Sequence, residues 1–221
     1  MADQKRQYRM MRRADAEQRT RLRITESTVA LHGTLGPART SVSAVARHAG
    51  VRRSTVYRHF PDEHSLFFAC TSYWTAANPF PDINRWKAID DSAVRLMSAL
   101  RELYAHYRRT ERIMSNILRD EAMMPIVKRM LGGYRDYLCA ARDALMSGRS
   151  VREPARQQVF AAIGHALTFG TWRSLAREQG LTDLQAAGLM CRLVAAAPGT
   201  SARRRTTQRH PWRNQRSDEN V

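Results

Sequence analysis

Lysine is nearly missing from this chain. Among 37 basic residues only Lys5, Lys87 and Lys128 are lysines. Cysteine is scarce as well: Cys70, Cys139 and Cys191 stand far apart, without a Cys-x-x-Cys pair or a neighbouring histidine pair. That fits reduced thiols in a cytosolic core better than a disulfide framework or a zinc site. No apolar run approaches the roughly 20 residues needed to cross a bilayer. The N-terminal stretch MADQKRQYRMMRRADAEQR carries charges with no apolar segment behind them, unlike a secretory signal. The expectation is a cytoplasmic, globular protein that does not engage a membrane. Catalytic signatures are also missing. There is no Gly-x-Ser-x-Gly turn, no glycine-rich phosphate loop and no metal spacing, while His106, His165, Glu111, Asp120 and Glu121 are scattered. The acidic pairs Asp90-Asp91 and Asp120-Glu121 read as helix-terminal and surface residues. No catalytic or metal-ligating set and no cofactor is implied, so the chain is expected not to be an enzyme.

What is present is positive charge, unevenly placed. The 221 residues carry a formal net charge of +17, and 43% are apolar, enough for a sizeable core. Residues 1–60 hold 13 Lys+Arg against 4 Asp+Glu, residues 61–198 hold 18 against 14, and residues 199–221 hold 6 against 2. A base-composition bias explains arginine in place of lysine, but not this distribution. A basic excess concentrated at one end attracts a polyanion with salt-dependent affinity.

The stretch SVSAVARHAGVRRSTVYRHF, residues 41–60, organises the chain. Val42, Val45, Ala46 and Ala49 recur at helical spacing, Thr40 and Ser41 stand where caps belong, and Gly50 supplies a residue that tolerates positive φ. A second helix is predicted from Arg53 or Ser54, burying Val56 and Phe60. Its other face would show Arg52, Arg53, Ser54, Thr55, Tyr57, Arg58 and His59. Small Ala46 lets the second helix cross closely, and the result is a helix-turn-helix whose second helix enters the major groove. Arg-rich N-terminal residues combine phosphate attraction with bidentate reach to guanine. Thr40, Ser41, Tyr57 and His59 are expected on phosphates, and Arg52, Arg53, Ser54 and Thr55 at base edges, with Arg58 beside them.

Thr40-Ser41-Val42, Ala46, Ala49-Gly50-Val51, the run Ser54 to Phe60, and Leu66 together resemble the TetR family of transcriptional repressors, tightly over residues 19–70. Two positions depart from the family pattern. Glu63 replaces the lysine usual after the His-Phe pair, and His32 stands where a large apolar side chain usually packs the first helix. The resemblance implies an all-α protein with an N-terminal helix-turn-helix DNA-binding domain. It also implies a C-terminal helical domain that binds a small ligand and dimerises through its last two helices.

The chain divides accordingly. Residues 1–18 read as a flexible basic arm whose Arg9, Arg12 and Arg13 could reach a minor groove. Residues 19–77 form the DNA-binding domain, 78–199 the ligand-binding and dimerisation domain, and 200–221 a disordered basic tail. A first helix is predicted over 20–34, with Ile24, Thr28, Leu31 and Leu35 inward. A fourth starts at Pro61-Asp62, with Leu66, Phe67, Cys70, Tyr73 and Trp74 on one side, and ends before the linker Asn78-Pro79-Phe80-Pro81. Further helices are predicted over 91–109, 111–119, 125–145, 154–179 and from Thr182 to about 197, with no alternating strand signal. Methionines and aromatics suggest a cavity lined by Met97, Leu100, Tyr104, Tyr107, Met114, Ile117, Met130, Tyr134, Tyr137, His165, Phe169 and Trp172. Small and apolar stripes suggest a dimer face of Phe160, Gly164, Leu167, Thr171 and Leu175 with Leu184, Ala187, Met190, Cys191 and Val194.

The expected protein is a homodimeric repressor on a double-stranded, pseudo-palindromic operator, released by an apolar or amphipathic effector. The alternatives are a DNA-binding regulator that uses no ligand or that activates, and a helical-bundle enzyme.

Overall fold

The computed structural model describes residues 2–198, and its described residues form helices and no strand. Helix α1 spans Ala2–Thr34, so the basic segment expected as a flexible arm is continuous with the first helix of the head. No glycine or proline interrupts residues 2–32, and Thr25, Thr28 and Thr34 hydrogen-bond back to carbonyls one turn earlier without breaking the helix. Its inward stripe is Ile24, Thr25 and Thr28, with Leu31 half-buried. Leu35, expected inward, lies past the helix end and is exposed. The basic segment 200–221 lies outside the described residues.

Helices α2 (Val42–His48), α3 (Arg53–His59) and α4 (Glu63–Ala77) complete the head around Ile24, Val45, Ala46, Val56, Phe60, Leu66 and Cys70. Caps placed by the sequence form: Ser41 accepts the Ala44 N–H at 3.1 Å, and Asp62 accepts that of Ser65 at 2.7 Å. Gly50 turns the corner at φ +62°. On α4, Leu66, Phe67 and Cys70 face inward while Tyr73 is turned out to Glu26. Burial pushes the Cys70 thiol up to about 12, so it stays protonated and inert.

The body consists of α5 (Ile83–Lys87), α6 (Ser92–Asp120), α7 (Pro125–Met130), α8 (Gly132–Met146), α9 (Ala155–Ala166), α10 (Phe169–Arg173) and α11 (Asp183–Ala196). Three boundaries differ from expectation. The helices predicted over 91–109 and 111–119 are one, because Thr110 sends its hydroxyl to the His106 carbonyl, 2.8 Å away, while Leu103, Tyr107, Thr110 and Met114 keep one buried stripe. The single helix predicted from Pro125 is broken after Met130, where Gly132 and Gly133 lower helix propensity. The long helix predicted over 154–179 breaks at Thr168, whose backbone is extended and whose hydroxyl caps the Thr171 N–H at 3.2 Å. A π-turn, Ser174–Glu178, follows α10 before Gly180 at φ +70°. The five-residue α5 was not foreseen; it buries Trp86, whose indole N–H donates to Glu102 at 3.1 Å. The last helix opens with the expected Thr182 cap, reinforced by Gln185 in a capping box.

Head and body meet where the last turns of α6 grip the end of α1. Asn116 donates from its amide to the carbonyls of His32 (3.1 Å) and Gly33 (3.0 Å), and Arg119 donates to that of Leu35 (3.0 Å). Asp120, expected on the surface, is 1% exposed; it accepts the Ala38 N–H at 3.0 Å and the Arg119 Nε–H at 2.7 Å. Burial alone would raise its pKa, but these donors outweigh burial and hold the carboxyl below its ordinary value. Gly36, at φ 91° and ψ 158°, passes directly beneath this group, in a backbone region that side-chain-bearing residues avoid. A Cβ at Gly36 would collide with the Arg119 guanidinium and come within 2.5 Å of Asp120 Oδ2. Gly36→Ala is therefore expected to lower the unfolding free energy by about 1–3 kcal/mol in urea denaturation; an unchanged midpoint and slope would contradict this account of the junction.

Candidate nucleic-acid interface and the cavity behind it

The outer face of α3 is a basic surface built on a buried inner edge. Val56 and Phe60 are fixed in the head core, so Arg52, Arg53, Ser54 and Arg58 are left exposed, with Thr55 half-buried between them. Arg53 donates to the Tyr57 hydroxyl at 3.0 Å and lies 5.5 Å from its ring centroid, so two candidate contact groups one helical turn apart hold one another in place. Ser41 is exposed while serving as the α2 cap, and Thr40 is half-buried with its hydroxyl on the Gly36 carbonyl. His59 is the exception. It is turned inward and 8% exposed, and its Nε2 has no hydrogen-bond partner. Burial first and the neighbouring Arg58 charge second lower its pKa. His59 thus closes the C-terminal end of α3 instead of presenting a donor to phosphate.

Sequence periodicity gave no sign of the group that holds that end. Arg21, from α1, donates to the His59 carbonyl at 2.5 Å and lies 4.2 Å from the Phe60 ring centroid. It ties α1 to the C-terminal end of α3. An exposed cationic edge on a helix that fits a major groove, mounted on a rigid three-helix support, can bind phosphates and read base edges.

Behind the head lies a cavity of about 290 Å³, with α1 and α4 on one side and α6, α7 and α8 on the other. Val29, His32, Phe67, Cys70, Thr71 and Trp74 line it from the head, and Phe80, Ile113, Met114, Ile117, Val127, Met130 and Tyr134 from linker and body. Of the residues expected in a pocket, Met114, Ile117, Met130 and Tyr134 are gathered here. The others lie elsewhere, and all but His165 are taken up by the core or packed against it. Leu100, Tyr104, Tyr107, Phe169 and Trp172 are fully or almost fully buried, and Met97 packs against them. The hydroxyls of Tyr104 and Tyr107 donate to the carbonyls of Ala166 (2.8 Å) and Leu167 (2.7 Å), fixing the broken α9–α10 junction. Trp172 donates to Asp183 at 2.8 Å, and Tyr137 to the Pro81 carbonyl at 3.0 Å. His165 is exposed and its ring lies beside the Thr171 hydroxyl.

The candidate dimer residues divide in the same way. Leu167, Thr171, Ala187, Met190 and Val194 are buried within the chain, while Phe160, Gly164, Leu175 and Cys191 are half-buried and Leu184 is exposed. Five of the ten are therefore committed to the core and unavailable to a second copy. Exposed Leu193, outside the expected stripe, stands on the outer side of α11.

The basic outer face of a short second helix, crossing a first across a glycine turn, defines a helix-turn-helix DNA-binding protein. Residues 24–70 match the family of bacterial regulatory proteins, tetR family, so the head is that of a TetR-type DNA-binding regulator. No curated protein sequence matches the chain. The fold is shared with solved structures at low identity. A Mesorhizobium loti protein assigned as a TetR-family transcriptional regulator is 17% identical, with 82% of this chain and 96% of that one covered at a TM-score of 0.56. A Clostridium perfringens protein assigned to regulation of fatty acid metabolism is 13% identical, with 79% and 97% covered at 0.59. A TetR-like transcriptional regulator of a Rhodococcus species is 15% identical, with 80% and 94% covered at 0.57. No described helix is long and apolar enough to cross a membrane.

His106 sits fully buried beside the cavity wall, 4.7 Å from the Phe80 ring centroid and 6.2 Å from that of Tyr107. Neither ring nitrogen makes a hydrogen bond, although the nearby Pro79 carbonyl favours the charged form. Burial, then the Arg109 charge, lowers its pKa from 6.5 to about 4. Because the folded value is depressed, this contribution is complete above 6.5 and is lost as pH falls toward 4, when the unfolded chain takes up the proton first. The unfolding free energy is expected to fall by on the order of 2–3 kcal/mol from this group across that window. His106→Phe should flatten the profile; an unaltered pH dependence would place the titration elsewhere.

Proposed function

We propose that the chain is a ligand-responsive repressor that binds a pseudo-palindromic operator as a homodimer. The observation that carries the reading is a cavity whose walls come from both the DNA-binding head and the helical body. A molecule there that is bound more favourably in one head orientation than another changes DNA affinity by its differential binding energy, typically about 1–3 kcal/mol. Helix α4 carries the coupling, since Phe67, Cys70 and Trp74 line the cavity while Leu66 on the same helix packs into the head core. Domain limits of 19–77 and 78–199 suit this division, with the linker 78–81 between them.

DNA contact is assigned to Thr40, Ser41, Arg52, Arg53, Ser54, Thr55, Tyr57 and Arg58. Dimerisation is assigned to the outer sides of α9 and α11, through Phe160, Gly164, Leu184 and Cys191. There Arg142 covers Phe160 at 4.0 Å from its ring centroid and must turn aside or be shared on association. Two-fold symmetry then demands half-sites about one helical turn or somewhat more apart. Such a regulator works in the cytoplasm on double-stranded DNA and needs no cofactor.

The test is selection from random-sequence duplexes at fixed salt, with the full chain and with Arg53→Ala. The reading expects an enriched palindrome, with preference relaxed at one position per half-site in the variant and a loss there of about 1–3 kcal/mol. Salt-dependent binding without any enriched motif would remove the operator assignment.

A further inference from the structure

His32 is the residue at which this chain departs most from an apolar wall. The side chain is 6% exposed and lies tilted against Phe67, with ring centroids 5.0 Å apart. Its backbone carbonyl is the one gripped by Asn116, so the ring stands at the head–body junction while lining the cavity. An imidazole lining an otherwise largely apolar cavity offers a bound molecule a hydrogen bond that an apolar side chain in its place could not.

The rest of the wall limits what that molecule can be. It contains no Lys, Arg, Asp or Glu. Thr75 spends its hydroxyl on the Thr71 carbonyl at 2.8 Å, and the Tyr134 hydroxyl is shared with Tyr107 at 3.0 Å. The Cys70 thiol is directed at the Thr25 carbonyl. An anion would be buried here without a counter-charge. The aromatic faces of Phe67, Trp74, Phe80 and Tyr134 suit a flat ring system, and about 290 Å³ admits only a compact one.

We infer that the cavity takes a compact, neutral aromatic molecule bearing one hydroxyl or carbonyl group, and that the imidazole of His32 makes the hydrogen bond to that group. This rests on the reading of the cavity as the effector site. The bond is made to the head while the ring system also reaches Phe80 of the linker and Tyr134 of the body, so the same molecule touches both sides of the junction.

Three probes sharing one ring system separate these statements: naphthalene, 2-naphthol and 2-naphthoate, titrated calorimetrically at neutral pH into the full chain. The parent is expected to bind 2-naphthol about tenfold more tightly than 2-naphthoate, and about three- to tenfold more tightly than naphthalene. In His32→Phe the preference for 2-naphthol over naphthalene should vanish while naphthalene binding persists, and His32→Gln should restore part of it. Ile117→Trp, which fills the cavity, should abolish binding of all three. Equal binding of 2-naphthol and naphthalene by the parent would overturn the role of His32 while leaving the cavity as a ligand site. Binding of 2-naphthoate as tight as that of 2-naphthol would overturn neutrality. Failure of every probe to bind the parent, or binding unaffected by Ile117→Trp, would overturn the inference together with the effector-site reading.

Discussion

The structure depends on a buried carboxylate. Asp120 ends the longest helix of the body and stands beneath the turn that ends the first helix of the head, where it accepts a backbone N–H from Ala38 and the guanidinium of Arg119. Removing a charge from water is costly, and these donors compensate the cost only while the turn at Gly36 holds its unusual backbone. The head is therefore positioned by a polar junction with directional bonds, reinforced by Asn116, and not by apolar contact alone. Apolar contact tolerates sliding; hydrogen bonds to fixed carbonyls do not.

That junction explains why the cavity sits where it does. The space between α1, α4 and the body is lined by side chains from both parts. A rigid core fills the far side of the body, where Tyr104, Tyr107 and Trp172 spend their polar atoms on the break between α9 and α10 and on the start of α11. Among the described residues the near side keeps the cavity of about 290 Å³. The cavity thus lies next to the bonds that orient the head, which on the proposed reading lets a small displacement bear on α3.

Much of this was legible in the sequence, and the residues show why. The capping Ser41 and Asp62, the turn at Gly50 and the stripe of Val45, Ala46 and Val56 are local signals, and each was found where the pattern put it. His59 was misplaced because periodicity alone does not tell the last turn of a short helix from the side chain that closes it. The pocket and dimer residues were harder. A buried aromatic looks the same in sequence whether it packs core or lines a cavity, so Tyr104 and Trp172 could not be separated from Tyr134. Asp120 read as a surface acid because the backbone N–H that it satisfies lies 82 residues away in the chain. His32 was visible as an anomaly, but its meaning required the cavity.

On the proposed reading, the grip of α6 on α1 sets the orientation in which the head meets its operator. The most direct measurement compares Asn116→Ala with the parent for binding to the selected operator and to random duplex of equal length, at one salt concentration. The substitution changes no charge, so random-duplex affinity should be unaltered. Operator affinity should fall about tenfold, as expected for losing roughly 1.4 kcal/mol of coupling between body and head. Unchanged operator affinity, or equal losses on both duplexes, would show that the head reads DNA independently of the junction.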